Sequence, residues 1–363
     1  MSKSALGIVV SLFIFIAATA TAQAASTSTA KASSKKSAVK KFSAKHKTTT
    51  VHRSTVKASS GTLRTAKVAS SKSKSGYQRV VYTPAISAVP PVLTAGDIAG
   101  LHLTRDPLAL KSSAAVVIDQ STSQVLFEKN SNVALPIASL TKLMMALIVV
   151  ENHQSMDEVL EVTADDIDRE KNSGSRLRVG AQMTRANMLH IALMSSENRA
   201  ASALGRNYPG GLPAFVSAMN AKAKALGMNG THYVDSTGLS SHNVASAHDL
   251  AKLVVAAYQY PIIREYSTDA RYAVDTGRYQ LHYMNSNRLV MNPGWDIGLQ
   301  KTGYISEAGR CLVMQTRVNG RPVVMVFLDS KGKDTRLADA SRVRKWLEVT
   351  KPQVLMQATA HQG

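Results

Sequence analysis

Residues Ser139 to Asn152 are apolar on nearly every side of a helical projection, with Leu140, Leu143, Met144, Leu147, Ile148 and Val150 leaving no polar stripe. A surface helix shows a polar face, so this one must lie inside, and the domain has to be built around it. Two residues break the pattern. Ser139 and Lys142 are three positions apart, which sets their side chains on one face of the first turn with Cβ atoms about 5–6 Å apart. A lysine in a core helix is costly unless it has a role. It can remove the serine proton only when neutral, which needs burial or a second nearby cation to lower its pKa. The helix N-terminus would add backbone NH groups directed at developing negative charge. Spacing alone selects little, because Ser28/Lys31, Ser33/Lys36, Ser37/Lys40, Ser54/Lys57, Ser71/Lys74 and Ser330/Lys333 share it. Those pairs sit in polar segments or a turn.

Around this helix the pattern reads strand, strand, several helices, three strands, helix. Ala114–Asp119 and Ser123–Lys129 are short apolar runs separated by Gln120-Ser121-Thr122. Helical periodicity runs through 184–195, 198–206, 212–226 and 246–258. Near the C-terminus, 298–302, 310–318 and 323–329 alternate or run apolar between glycine-containing turns, and 334–347 closes as a helix. The order implies an α/β fold: a mixed, largely antiparallel sheet with strands from both ends of the chain, helices on both faces, and a helical subdomain. With 363 residues, 44% of them hydrophobic, the chain can bury a sizeable core. The single cysteine, Cys311, excludes a disulfide framework.

Two further elements carry polar chemistry. Lys301-Thr302-Gly303 is the chain's only such tripeptide and follows a short apolar run before a second strand, which puts it on a sheet edge. By itself it also reads as an exposed Lys-Thr pair before a turn glycine. Ser196-Glu197-Asn198 lies at the boundary of two helices, where a Ser or Asn could simply cap, and Ser241-His242-Asn243 shows that this pattern is not selective.

In this order and context the three elements resemble those of the penicillin-binding proteins and serine β-lactamases. The similarity extends over about residues 100 to 350, including Pro136 to Lys142, Gly227 to Val234, Gly238-Leu239 and Gln300 to Tyr304. It looks closest to the low-molecular-mass D-alanyl-D-alanine peptidases, and among them to the endopeptidase type called penicillin-binding protein seven. The resemblance implies a β-lactamase/transpeptidase-like fold. It also implies Ser139 as acylated nucleophile, Lys142 as its base, Ser196 as proton relay, and Asn198 positioning Lys142 and a substrate amide. Lys301 would help hold the substrate electrostatically, with Thr302 near the scissile bond and Gly303 completing the strand motif. The backbone NH groups of Ser139 and Tyr304 would form an oxyanion hole. Arg336, opening the last helix, matches a position that anchors a substrate carboxylate, although it also reads as a surface arginine in a charged helix. Glu197 stands where a small or acidic residue is often found, and should affect substrate access more than chemistry.

The activity so implied is hydrolysis of the D-alanine to meso-diaminopimelate cross-link of peptidoglycan through an acyl-enzyme, inhibited by β-lactams, with no metal or cofactor. A D-alanyl-D-alanine carboxypeptidase is the nearest alternative. Those enzymes usually continue into a further β-rich domain and an amphipathic anchor, whereas only 17 residues follow Trp346 here. A β-lactamase fits less well, since no Glu-x-x-x-Asn element follows Asn198 at a fitting distance. From another class, a non-catalytic envelope-binding protein predicts that Ser139 and Lys301 are dispensable. One decoy, Ser240-x-His242 with His248 and Asp249, loosely resembles the ligands of zinc D,D-dipeptidases. It lacks a downstream Glu and His pair, and reads instead as a loop entering the helix at Ser246.

The net charge of +20 is not a nucleic-acid signature. Residues 1–96 hold 15 Lys/Arg and no Asp/Glu, so Asp97 to Gly363 carries only +5. Lys3, the apolar run Ala5–Ala18 and the small-residue sites at Ala20-Thr21-Ala22 and Ala22-Gln23-Ala24 read as a signal peptide over 1–24, hence a periplasmic protein. Residues 25–96 form a Ser/Lys/Ala-rich tail and linker, too polar to offset the entropy of ordering. Its expected partners are anionic envelope polymers or a membrane surface, bound in a salt-dependent way, or it is only a spacer. The catalytic domain is expected over 97–350, followed by a short tail, 351–363.

Overall fold

The computed structural model describes residues 92–350. The expected signal peptide, nearly all of the basic segment and the tail 351–363 lie outside the described residues. The described chain enters the fold a few residues ahead of Asp97. Thr94 caps the short helix Ala95–Ile98, and its hydroxyl donates to Asp329 (3.0 Å).

The centre is a five-stranded sheet. β1 (Ser112–Asp119) and β2 (Val125–Lys129) come from the start of the domain. The other strands, β3 (Asp296–Ile305), β4 (Gly309–Val318) and β5 (Arg321–Ser330), come from its end. The order is β2-β1-β5-β4-β3 and every pairing is antiparallel. The apolar runs of β1, β4 and β5 have no polar face because both faces are covered. Ala115, Val117, Met314, Met325 and Phe327 pack with Ala340 and Val343 of the C-terminal helix, while Ala114, Val116, Val313, Val324 and Val326 turn to the larger core. The two sets alternate along each strand, as side chains two residues apart must share a face.

That larger core surrounds α1 (Thr141–Glu151), in which Thr141 to Val149 are all buried. It packs against α2 (Arg185–Met194), α3 (Asn198–Arg206), α4 (Gly211–Ala225) and α5 (Ala247–Ala257). A change such as Leu147→Ala would leave a cavity here and cost about 2–5 kcal/mol. Thr184 and Ser246 cap α2 and α5 by accepting the amides of Asn187 and Asp249. A helix α6 (Pro261–Thr268) packs on the edge strand β3, and α7 (Thr335–Val349) closes the opposite face.

Several short elements escaped the sequence reading. These are α6, which Pro261 opens at its first turn, and the hairpin Arg271–Asp275 with Gln280–Met284. The others are two small strand pairs, Leu135–Pro136 with Val244–Ala245 and Val159–Glu161 with Gln182–Thr184. The hairpin's alternation around Gly277 was a usable signal, since that glycine turns with φ +79°. The two-residue pair was not, because a pairing that short carries no period.

Candidate active site

The chain reaches the site at Pro136, paired to Val244, and then turns sharply. Ala138 has φ +48°, a left-handed conformation costly for a residue with a Cβ, and a short 3₁₀ turn, Ala138–Leu140, leads into α1. Two glycines make room for this turn. A Cβ on Gly238 would sit 1.9 Å from the Ala138 carbonyl oxygen, and one on Gly303 would sit 2.9 Å from the Ile137 oxygen and 3.1 Å from the Ser139 nitrogen. The Thr141 hydroxyl donates to Ala138 O (2.8 Å) and accepts from Asn243 (3.0 Å), tying the turn down. Ser139 is left half-buried while Ala138 and Leu140 are fully enclosed.

Lys142, in the first turn of α1, is completely buried. Its Nζ lies 3.0 Å from Ser139 Oγ and donates to Asn198 Oδ1 (2.7 Å) and to the Thr237 carbonyl (2.6 Å). Three oxygens thus match the three donors of an ammonium. Burial nevertheless pulls its pKa down to about 8, against the opposing pull of the Asp235, Glu197 and Asp168 carboxylates. A buried amine with a depressed pKa beside a hydroxyl is the arrangement that serine activation requires.

The second wall comes from the break between α2 and α3. Ser196 has φ +66°, and Asn198 is the first residue of α3. The cap of that helix is neither of them. Glu197 takes the position, accepting the Arg199 amide (3.2 Å) and the Ser175 hydroxyl (2.7 Å), so this carboxylate is built into the wall. Asn198 donates from its amide to Ser173 Oγ (2.9 Å), which orients its carbonyl toward Lys142.

The third wall is edge strand β3. Lys301, also completely buried, donates to Ser196 Oγ (2.9 Å) and to the Thr302 carbonyl (2.8 Å). Its pKa falls well below the ordinary lysine value, first through burial and then through repulsion from Lys142 and Arg336. The Thr302 hydroxyl shares a hydrogen bond with Ser286 (2.7 Å). Tyr304 is 56% exposed, with the Arg310 guanidinium 4.5 Å from the centre of its ring. Arg336 is not a surface residue: it is 9% exposed and its guanidinium points at the Gly303 carbonyl (3.4 Å).

The three sequence elements therefore converge, although they are drawn from a buried helix, a helix junction and a strand. Sequence reasoning missed Thr237, whose carbonyl is a Lys142 partner, together with Ser173, Ser175, Tyr283 and Ser286. Of the zinc-like decoy, Asp249 is engaged elsewhere, and the loop enters α5 as read. Asp249 accepts from Gly230 N (2.8 Å) and the Thr231 hydroxyl (3.0 Å), and Ser246 caps α5.

Comparison with known proteins gives the family. The peptidase S11 family, described as D-alanyl-D-alanine carboxypeptidase, matches residues 102–332. The chain is 49% identical over 266 residues to a D-alanyl-D-alanine endopeptidase of Pseudomonas aeruginosa, covering 73% of this chain and 83% of that one. It is 45% identical over 244 residues to the Escherichia coli protein of the same name, covering 67% and 79%. Among solved structures it is similar to a D-alanyl-D-alanine carboxypeptidase of Mycobacterium tuberculosis, with TM-score 0.61, 26% identity, and coverage of 67% of this chain and 92% of that one. It is also similar to penicillin-binding protein D2 of Listeria monocytogenes in its cefotaxime-bound form, with TM-score 0.60, 26% identity, and coverage of 66% and 98%. The chain belongs to the peptidase S11 family of serine peptidases.

Proposed function

We propose that this member of the D-alanyl-D-alanine peptidase family is an endopeptidase. It would hydrolyse the D-alanine to meso-diaminopimelate cross-link of peptidoglycan through an acyl-enzyme on Ser139. The observation that carries the proposal is the pair of buried lysines, each hydrogen-bonded to a different half-buried serine: Lys142 to Ser139 and Lys301 to Ser196. Neutral Lys142 takes the proton of Ser139 as its oxygen attacks the D-alanine carbonyl carbon. The carbonyl oxygen gains charge between the backbone NH groups of Ser139 and Tyr304. Ser196, bridged to Lys301, relays that proton from Lys142 to the departing amine as the carbon–nitrogen bond breaks, which leaves Lys142 neutral and Ser196 a hydroxyl again. Water then attacks the ester and returns the proton to Ser139. Lys301, Thr302 and Arg336 gather cationic and hydroxyl groups where the carboxylate next to the scissile bond would lie, with Gly303 keeping the strand close to the nucleophile turn. The endopeptidase relatives support the substrate, and the cefotaxime-bound Listeria protein supports inhibition by β-lactams.

The same groups could release a terminal D-alanine, the activity in the family's description. One experiment separates the readings. A labelled penicillin should attach to Ser139 by peptide mapping, and incubation with cross-linked and with pentapeptide-only muropeptides should consume the cross-linked ones preferentially. Labelling at another residue would sink the site, and preference for pentapeptides would make the protein a carboxypeptidase.

Export through residues 1–24 and delivery to the periplasm follow from Lys3, the Ala5–Ala18 run and the small residues after it. The 14 Lys/Arg of residues 25–80, with no acid among them, would hold the enzyme on anionic wall or membrane. A protein starting at Val81 should then lose low-salt retention on intact sacculi while keeping turnover of soluble muropeptides. Unchanged retention would leave the segment a spacer.

A further inference from the structure

Ser196, Glu197 and Asn198 also wall a cavity of about 460 Å³, together with Ser175, Arg176 and Tyr283. Its two charged groups are unequally committed. Glu197 is buried, accepts from Ser175 and from the Arg199 amide, and has the Tyr283 hydroxyl 3.5 Å from its other oxygen. Arg176 is exposed and makes no ion pair among the described residues. One guanidinium nitrogen donates to the His282 carbonyl (2.8 Å), and the group lies 4.5 Å from the centre of the Tyr283 ring. Packing against an aromatic ring fixes a guanidinium while leaving donors at its rim, where carboxylates are bound bidentately.

The position of this cavity gives it a meaning, which rests on the endopeptidase reading above. Ser196 protonates the departing amine, so the space beyond Ser196 receives the leaving group. When a terminal D-alanine leaves, its single carboxylate stays next to the scissile bond, beside Lys301, Thr302 and Arg336. When a cross-link is cut, the leaving amine belongs to a diamino acid within a second stem peptide, which carries further carboxylates. We infer that the cavity is a subsite for this second stem peptide and that Arg176 binds one of its carboxylates. Arg176 is then a determinant of cross-link cleavage over D-alanine release.

The test compares wild type with Arg176→Ala in the full-length protein, reading cleavage of a cross-linked muropeptide dimer against acylation by a labelled penicillin. The ratio of the two should fall about tenfold, mainly through a higher KM for the dimer, as loss of a charge-assisted hydrogen bond in a partly open site implies. Both activities falling in step, or neither falling, would overturn the subsite. Should wild type be acylated yet leave the dimer intact, the endopeptidase reading fails, and binding alone decides the inference. Titration of the Ser139→Ala protein, with and without Arg176→Ala, with an uncross-linked tetrapeptide muropeptide reads the subsite without turnover. About fivefold weaker binding upholds it, and equal affinity overturns it.

Discussion

Lys142 and Lys301 are both wholly enclosed, and both lose basicity through burial, yet their surroundings differ in sign. Lys142 rises from the helical core into three oxygen partners and the field of Asp235, Glu197 and Asp168, which stops its fall at about 8. Lys301 comes from the sheet edge, has two partners, and faces two cations, Lys142 and Arg336, which add to the effect of burial. Burial alone therefore does not assign a lysine its task. With a pKa of about 8, Lys142 is neutral in about a tenth of molecules at pH 7, so it can exchange a proton at modest cost. The cations around Lys301 make the same region attractive to an incoming carboxylate, whose arrival would in turn favour the charged form of Lys301.

The largest effect should come from taking away Lys142's ability to become neutral. Lys142→Arg keeps a cation and several donors, but guanidinium does not deprotonate near neutral pH. Penicillin acylation should fall by about two to four orders of magnitude, the usual contribution of a positioned general base, while thermal unfolding stays cooperative. If the variant is acylated nearly as fast as wild type, the two lysines do not divide the work in this way.

An intermediate effect is expected at Lys301. Lys301→Ala removes a buried donor to Ser196 and should slow acylation by about ten- to a hundredfold, the range for a lost charged hydrogen bond. Lys301→Arg, which supplies donors and charge without any need to deprotonate, should recover part of that loss. The opposite ranking, with arginine tolerated at position 142 and fatal at 301, would exchange the two roles.

The features behind this contrast were unequally legible in the sequence. Ser139 and Lys142 stood out because they interrupt an apolar helix. Asn198 lay where the helical period restarts, and Lys301 lay on a strand ending in glycine. The partner that matters as much as Asn198, the Thr237 carbonyl, is a backbone group, and a carbonyl leaves no mark on a sequence. Gly238 was visible as part of a Gly-Leu pair, but its purpose, letting the loop touch Ala138, exists only once the loop is folded. Arg336 was ambiguous because α7 also carries Arg342, Arg344 and Lys345. Only the approach of β3, with its Gly303 carbonyl, turns one of these inward. Glu197 was read as a group controlling access. The structure gives it a capping role and places its charge among those acting on Lys142.

That last charge allows the finest test of the comparison. Glu197 is one of three carboxylates that favour the ammonium form of Lys142 and so hold its pKa up. Glu197→Gln removes the charge but keeps an amide oxygen for Ser175 and the Arg199 amide, so the cap of α3 should survive. With less negative charge nearby, the ammonium is less favoured and the pKa of Lys142 must move below 8. The neutral base is the reactive form, so wild-type acylation should rise with pH through about 8, and the variant's profile should reach its half-maximum at lower pH. A shift of about 0.3 units would nearly double the neutral fraction at pH 7. Near pH 9.5, above both midpoints, the two rates should converge. Acylation measured across pH 6–10 reads both regions at once. An unmoved midpoint would mean that solvent screens Glu197 from Lys142, and a midpoint displaced upward would show that the field around Lys142 has been assigned the wrong sign.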